Sequence, residues 1–336
     1  MNLAQFAALM FLVPAISQAS ISQAAISQAS NCNNGLYLST SWLNKPRSDA
    51  EIVALAKRLR ESNIRNVFIN ATDVNAVNPL ATNFLKTLGA RLPDAKVIGM
   101  IYRSPCGVGT QSKDKCFNPS DEQDRHRLNR DASNLWSAGF HGVQIDYEPA
   151  VSGDGTFLEI LEHLRKTKPS GKMLSVAGSF LALEGKEKDE IKPSVKSGQS
   201  LLIWNRDYYA AVMSKVDQVM LMNYDTALRS EQDYIRFTDW QVRQLTRLAS
   251  DAKIELQVGL PSNMKGRAGL YDRAAENLGA GIKGVQSALG SASCPEKVGV
   301  SIFNDASMNS ELWKSFNDAF PTSHSRAPKQ VQPTAR

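Results

Sequence analysis

The chain has 336 residues, a net charge of +6 and ordinary hydrophobic content, enough to bury a large core. That length would suit two average domains, but α/β barrels of about 250 residues or more fold as one. No basic, aromatic-laced stripe favours nucleic acid as a partner. Half of the excess charge lies in a tail, 321–336, that carries Arg326, Lys329 and Arg336 and no acid. It is expected to be a disordered, solvated segment.

The first 30 residues contain no charged side chain. An apolar stretch from Ala4 to Ala15 precedes a five-residue repeat opening at Ile16, Ile21 and Ile26. Spanning a bilayer takes about 20 residues, so no stable membrane insertion is expected. The stretch fits the apolar core of a secretory signal, with cleavage after Ala19, Ala24 or Ala29. No Lys or Arg follows Met1 to strengthen that signal. The expected location is extracellular or periplasmic.

All four cysteines, Cys32, Cys106, Cys116 and Cys294, follow the leader. They lack metal-ligand spacing, and neither a metal nor another cofactor is expected. An even count behind a signal predicts two disulfides, for which three connectivities exist. Cys106 and Cys116 bracket a short polar loop and are paired here, leaving Cys32 with Cys294. Four reduced thiols would instead mark a cytosolic protein.

From Cys32 the chain alternates strand-like and helical patterns. Strands are predicted at Gly35–Trp42, Asn66–Thr72, Lys96–Arg103, Gly142–Glu148, Met173–Gly178, Gln218–Asp225, Ile254–Leu260 and Val298–Phe303. The clearest amphipathic helices are Asp49–Ser62 and Asp233–Ser250, with Asp49 and Asp233 as N-caps. Eight strand–helix repeats predict a parallel sheet closed into a (β/α)8 barrel over 31–320, in the α/β class. Closure makes the first and eighth strands neighbours. Cys32 and Cys294 then fall at one rim, within disulfide reach.

Active sites of such barrels form at the C-terminal ends of the strands. In the fourth strand, Gly142-Val-Gln-Ile-Asp-Tyr-Glu148, alternation puts Gln144, Asp146 and Glu148 on one face and Val143, Ile145 and Tyr147 on the other. Three polar groups converging inside a barrel are costly unless paired or solvated, so this face reads as a site. In the sixth, Met220, Met222 and Tyr224 should face inward.

These residues resemble the family 18 glycoside hydrolases, which carry Asp-x-x-Asp-x-Asp-x-Glu on the fourth barrel strand and Met-x-Tyr-Asp on the sixth. His141, Gln144, Asp146 and Glu148 occupy the first motif's positions and depart from it at the first two. Met222, Tyr224 and Asp225 match the second. The resemblance implies a hydrolase of β-linked N-acetylhexosamine glycans. Glu148 would be the catalytic acid, Asp146 and Tyr224 would hold the acetamido group, and Asp225, Met222 and Gln144 would contact substrate. Phe303 stands where chitinases place a stacking Trp. Trp42, Asn70 and Tyr102, at the ends of strands one to three, are further candidate sugar contacts, and the Cys106–Cys116 loop is expected to wall the cleft. His141 is expected to be a structural, hydrogen-bonded residue. The implied partner is an oligo- or polysaccharide, and the protein is expected to act as a monomer. Two other readings stand: a non-catalytic, lectin-like carbohydrate binder on the same barrel, and a glycosidase pairing Glu148 with Asp225 or Asp305.

Overall fold

A computed structural model describes residues 32–72, 78–106, 116–196, 201–262, 266–290, 294, 295 and 297–321. The leader and the basic tail predicted from the sequence lie outside these residues. Eight parallel strands close into a barrel: β1 (Asn34–Leu38), β2 (Ile64–Asn70), β3 (Lys96–Arg103), β4 (Gly142–Tyr147), β5 (Met173–Gly178), β8 (Gln218–Met222), β9 (Glu255–Pro261) and β10 (Val298–Phe303). Two short strands, β6 (Phe180–Leu181) and β7 (Ile203–Trp204), pair separately beside it. The ring closes where β1 pairs with β10, Gly35 opposite Ser301. The fold is therefore the (β/α)8 barrel predicted from the alternation of elements.

Helices cover the outside. The main ones are α1 (Ser41–Asn44), α2 (Asp49–Glu61), α3 (Pro79–Arg91), α4 (Glu122–Ser137), α5 (Gly155–Thr167), α6 (Lys186–Glu190), α7 (Arg206–Met213), α8 (Glu231–Ala252), α9 (Leu278–Leu289) and α10 (Ser310–Ala319). The N-cap of α2 is Ser48, not Asp49. Its side chain accepts from the Glu51 amide while Glu51 reaches back to the Ser48 amide, a complete capping box. Likewise α8 begins on Ser230, whose side chain accepts from the Asp233 amide. In both cases the aspartate sits in the first turn, where its charge favours the helix dipole.

Strand alternation divides the apolar side chains into two sets. Outward residues such as Leu36, Val67, Val143, Ile145 and Val258 pack against the helices in one large core. Inward residues Tyr37, Phe68, Ile98, Met100, Ala177, Met220, Met222 and Tyr224 form a second cluster inside the barrel. Other inward positions are polar: Gln144, Ser175, Gln218, Gln257 and Ser301 are all fully buried. Gly259 makes room among them, since a Cβ there would come within 2.7 Å of the Met220 sulfur.

Both disulfides form as paired from the sequence. Cys32–Cys294 has a Cα separation of 4.8 Å, and Cys106–Cys116 one of 4.7 Å. The first ties the segment before β1 to the segment before β10, across the closure. Residues 107–115 lie outside the described residues, so the wall expected of that loop does too. Among the described residues, no helix is long and apolar enough to cross a membrane.

Candidate active site

Strand β4 delivers its polar face to the C-terminal mouth. The Glu148 amide donates to the Arg103 carbonyl at 3.0 Å, extending the β3–β4 ladder one residue beyond Tyr147. Glu148 and Asp146 thus project to the same side. They line an open cleft of about 310 Å³ with Tyr37, Met100, Met220, Met222, Tyr224, Asp225, Gly266, Arg267 and Phe303. The cleft floor is aromatic. Tyr224 stacks on Phe303 with ring centres 4.9 Å apart, Tyr37 meets Phe303 edge-on at 5.2 Å, and Tyr37 stacks on Phe68 at 4.6 Å.

Both carboxyls, Asp146 and Glu148, are shifted above the usual carboxylate range. Burial raises Asp146 well above the usual carboxylate range, and the neighbouring Glu148 charge adds to it, while the Arg267 guanidinium works against the shift. Burial also raises Glu148. There Arg267 opposes and Asp225 reinforces the shift. Asp146 Oδ1 is buried without a hydrogen-bond partner among the described residues. An unpaired buried oxygen of that kind is costly. Tyr224 is raised well above a free phenol by burial and by the surrounding charges, which keeps it a hydroxyl donor.

Arg267 escaped the sequence reading. It follows β9, where no periodic pattern marks it among the other arginines. Its backbone amide donates to Asp225 Oδ1 at 2.9 Å and its Nε to Asp225 Oδ2 at 3.1 Å. Gly266 permits the approach, because a Cβ there would meet Asp225 Oδ1 at 2.5 Å. Asp225 has a φ of 59° and is buried, so its carboxylate is committed to holding Arg267 over the cleft. Behind it, Thr226 donates its amide to both oxygens of Glu276. Glu276 is fully buried and pushed up to about 7, chiefly by burial.

The remaining candidates separate from the cleft by varying degrees. Gln144 lies below it, fully buried. It accepts from the Tyr37 hydroxyl at 2.6 Å and donates to Ser175 Oγ at 3.3 Å, so it is a support and not a sugar contact. Tyr102 is the registered neighbour of Asp146 on β3 and half-buried at the rim, near enough that the Glu148 and Asp146 charges raise its hydroxyl above the usual range, after burial. Trp42 is displaced from the site. It sits on α1 and not at a strand end, packs against Phe84, lies beneath the Arg47 guanidinium at 4.6 Å and donates to Asp305 at 3.2 Å. The indole is thereby engaged by Arg47 over its ring, by Phe84 and by Asp305, away from the cleft residues. Asn70 does end β2, but its side-chain oxygen accepts from the Thr72 amide. His141 precedes β4 at the opposite rim, where Nδ1 accepts from the Val97 amide at 3.1 Å.

The chain is thus a closed (β/α)8 barrel with two carboxyls at the end of the fourth strand, facing an aromatic-floored cleft. The solved structures agree on the fold. The spore cortex-lytic enzyme SleL of Bacillus cereus superimposes with a TM-score of 0.52 at 13% identity, covering 88% of this chain and 75% of that one. SleL of Bacillus megaterium gives 0.50 at 13% identity, covering 87% and 75%. A variant of the GH18 chitinase from Cycas revoluta, in complex with (GlcNAc)4, gives 0.50 at 14% identity, covering 86% and 99%. No protein-family model matches the sequence, and no curated protein does.

Proposed function

We propose that the protein is a secreted glycoside hydrolase that cleaves β-linked N-acetylhexosamine glycans with retention, using the substrate's own acetamido oxygen as nucleophile. The observation that carries this reading is the buried, unpartnered oxygen of Asp146 beside a Glu148 whose pKa burial raises. Glu148 gives its proton to the glycosidic oxygen as the bond from that oxygen to the anomeric carbon breaks. The acetamido carbonyl oxygen attacks the same carbon, and positive charge spreads onto the amide. Asp146 accepts the amide N–H through its vacant oxygen, and the Tyr224 hydroxyl donates to the carbonyl oxygen. Water then opens the cyclic intermediate, with Glu148 now taking its proton. Two disulfides and the uncharged leader support export.

A pair of carboxylates acting directly on the sugar fits less well. Asp225 is bound by Arg267, and Asp305 accepts from both Trp42 and the Ser39 amide. The deciding experiment compares matched acetylated and de-N-acetylated oligosaccharides with the purified protein. Cleavage confined to the acetylated set is expected, and equal rates would revive the two-carboxylate mechanism. Glu148→Gln should lower turnover at least about 10²–10⁴-fold while leaving ligand affinity in place. A parent protein that binds these glycans and cleaves none of them is a lectin.

A further inference from the structure

Below the cleft, buried polar side chains form a continuous hydrogen-bonded path. Tyr37 Oη bonds to Gln144 Oε1 at 2.6 Å, Gln144 Nε2 to Ser175 Oγ at 3.3 Å, Ser175 Oγ to Gln218 Oε1 at 2.9 Å and Gln218 Nε2 to Glu255 Oε2 at 3.1 Å. The last four residues are registered cross-strand neighbours on β4, β5, β8 and β9. Because barrel strands tilt, following the register from strand to strand descends the barrel. The path therefore starts in the cleft and ends at Glu255, the first residue of β9, at the opposite rim. There Lys96 and Asn33 Nδ2 also donate to the Glu255 carboxylate.

The chemistry of one end dictates every donor along the way. An ionised carboxylate only accepts, so Gln218 must turn its NH2 toward Glu255 and its carbonyl toward Ser175. That carbonyl also only accepts, so the Ser175 hydroxyl must donate to it. Ser175 is left to accept from the Gln144 NH2, which turns the Gln144 carbonyl toward Tyr37. Tyr37 must then donate. All four donors point away from the cleft, an arrangement in which each bond polarises the next.

We propose that Glu255, at the rim opposite the active site, fixes Tyr37 as an acceptor-only group in the cleft through Gln218, Ser175 and Gln144. With its proton turned downward, Tyr37 presents only oxygen lone pairs beside Asp146, which lines the same cleft. The two residues together then favour a substrate N–H or hydroxyl over a substrate carbonyl at this point. Glu255, Gln218 and Ser175 are positioning residues: they act on the substrate only through Tyr37. This rests on the glycan-hydrolase reading for its effect on turnover, but the direction of the path is independent of it.

A neutron structure of the deuterated protein tests that direction without any substrate. The expected deuteron on Tyr37 Oη lies on the line to Gln144 Oε1, and one aimed at Asp146 or into the cleft overturns the proposal. Glu255→Gln makes the terminal group both donor and acceptor and releases the constraint. Part of its Tyr37 deuterons should turn to the cleft, and kcat on an acetylated oligosaccharide should fall about two- to tenfold with a smaller change in KM, the range of one misdirected neutral hydrogen bond. Glu255→Asp, which remains acceptor-only, should keep the parental deuteron position and recover most of the turnover. A Glu255→Gln protein with parental deuteron positions and parental kcat refutes the proposal. If no glycan is hydrolysed at all, the hydrolase reading fails while the deuteron positions still decide the path.

Discussion

Replacing Cys32 and Cys294 together by serine should destabilise the protein more than replacing Cys106 and Cys116, by a margin set by loop length. A cross-link acts mainly by removing loop-closure entropy from the unfolded chain, and that entropy grows with the logarithm of the closed loop. The first bridge closes a separation of 262 residues and the second one of 10. The chain-entropy relation then gives about 5.6 kcal/mol for the long loop and about 2.7 kcal/mol for the short one at 25 °C. The difference of roughly 3 kcal/mol is the sturdier figure, since the fixed part of the relation cancels from it. The assay is urea or guanidinium unfolding of parent and both double variants, oxidised, with fluorescence and circular dichroism required to coincide. A long-loop variant that loses no more stability than the short-loop one would refute the entropic reasoning. It would imply that the segment before β1 already lies near the segment before β10 in the unfolded chain.

If Glu148 is the proton donor proposed above, activity should be full below its raised pKa and disappear as pH rises through it. Arg267 lowers both Glu148 and Asp146, and Arg267→Gln should therefore shift the alkaline limb of the kcat/KM profile upward. Tyr224→Phe removes the donor proposed for the acetamido oxygen and should lower kcat more than it raises KM, as read from initial rates on acetylated substrate. Glu276 binds its proton more tightly folded than unfolded, since its folded pKa is about 7 against 4.5. Its burial costs nothing below the unfolded value, and the cost grows as pH rises toward 7 and is constant above. Glu276→Gln should thus leave stability unchanged at pH 4 and raise it by up to about 3 kcal/mol at pH 8, as measured by chemical unfolding at the two values.

Strand interiors and their inward faces were legible because their signal is local. Lys96–Arg103, Met173–Gly178 and Val298–Phe303 begin and end where the sequence pattern places them. Gln218–Asp225 overruns the observed strand, because Tyr224 and Asp225 continue the composition of a strand although the last ladder bond is from the Asn223 amide to the Gly259 carbonyl. Asp225 and Ala227 then take left-handed φ values that no composition announces. The helix starts at Ser48 and Ser230 were readable in principle, since Ser-x-x-Glu and Ser-x-x-Asp stand in the sequence, but the aspartates beside them drew the assignment. Tyr37 and Arg267 were missed for different reasons. Tyr37 lies on a recognised strand, and only its pairing with Gln144 across 107 residues reveals what it does. Arg267 depends on a glycine-permitted approach to Asp225 that is visible only in three dimensions. Trp42 was placed at a strand end because β1 was read four residues too long, through the turn into α1.

The seam between β1 and β10 joins the two extremes of the barrel, Gly35 opposite Ser301 and Leu36 opposite Ile302. A chain cut off before Val298 would carry every other strand and still lack the one that hides both raw borders of the sheet. β1 and β9 would each present a row of unanswered amides and carbonyls, the arrangement that templates strand addition from another molecule. Loss of this small C-terminal portion should consequently yield sticky, self-associating material instead of a slightly shorter barrel. Any engineered truncation or fusion at that end has to begin beyond Phe303.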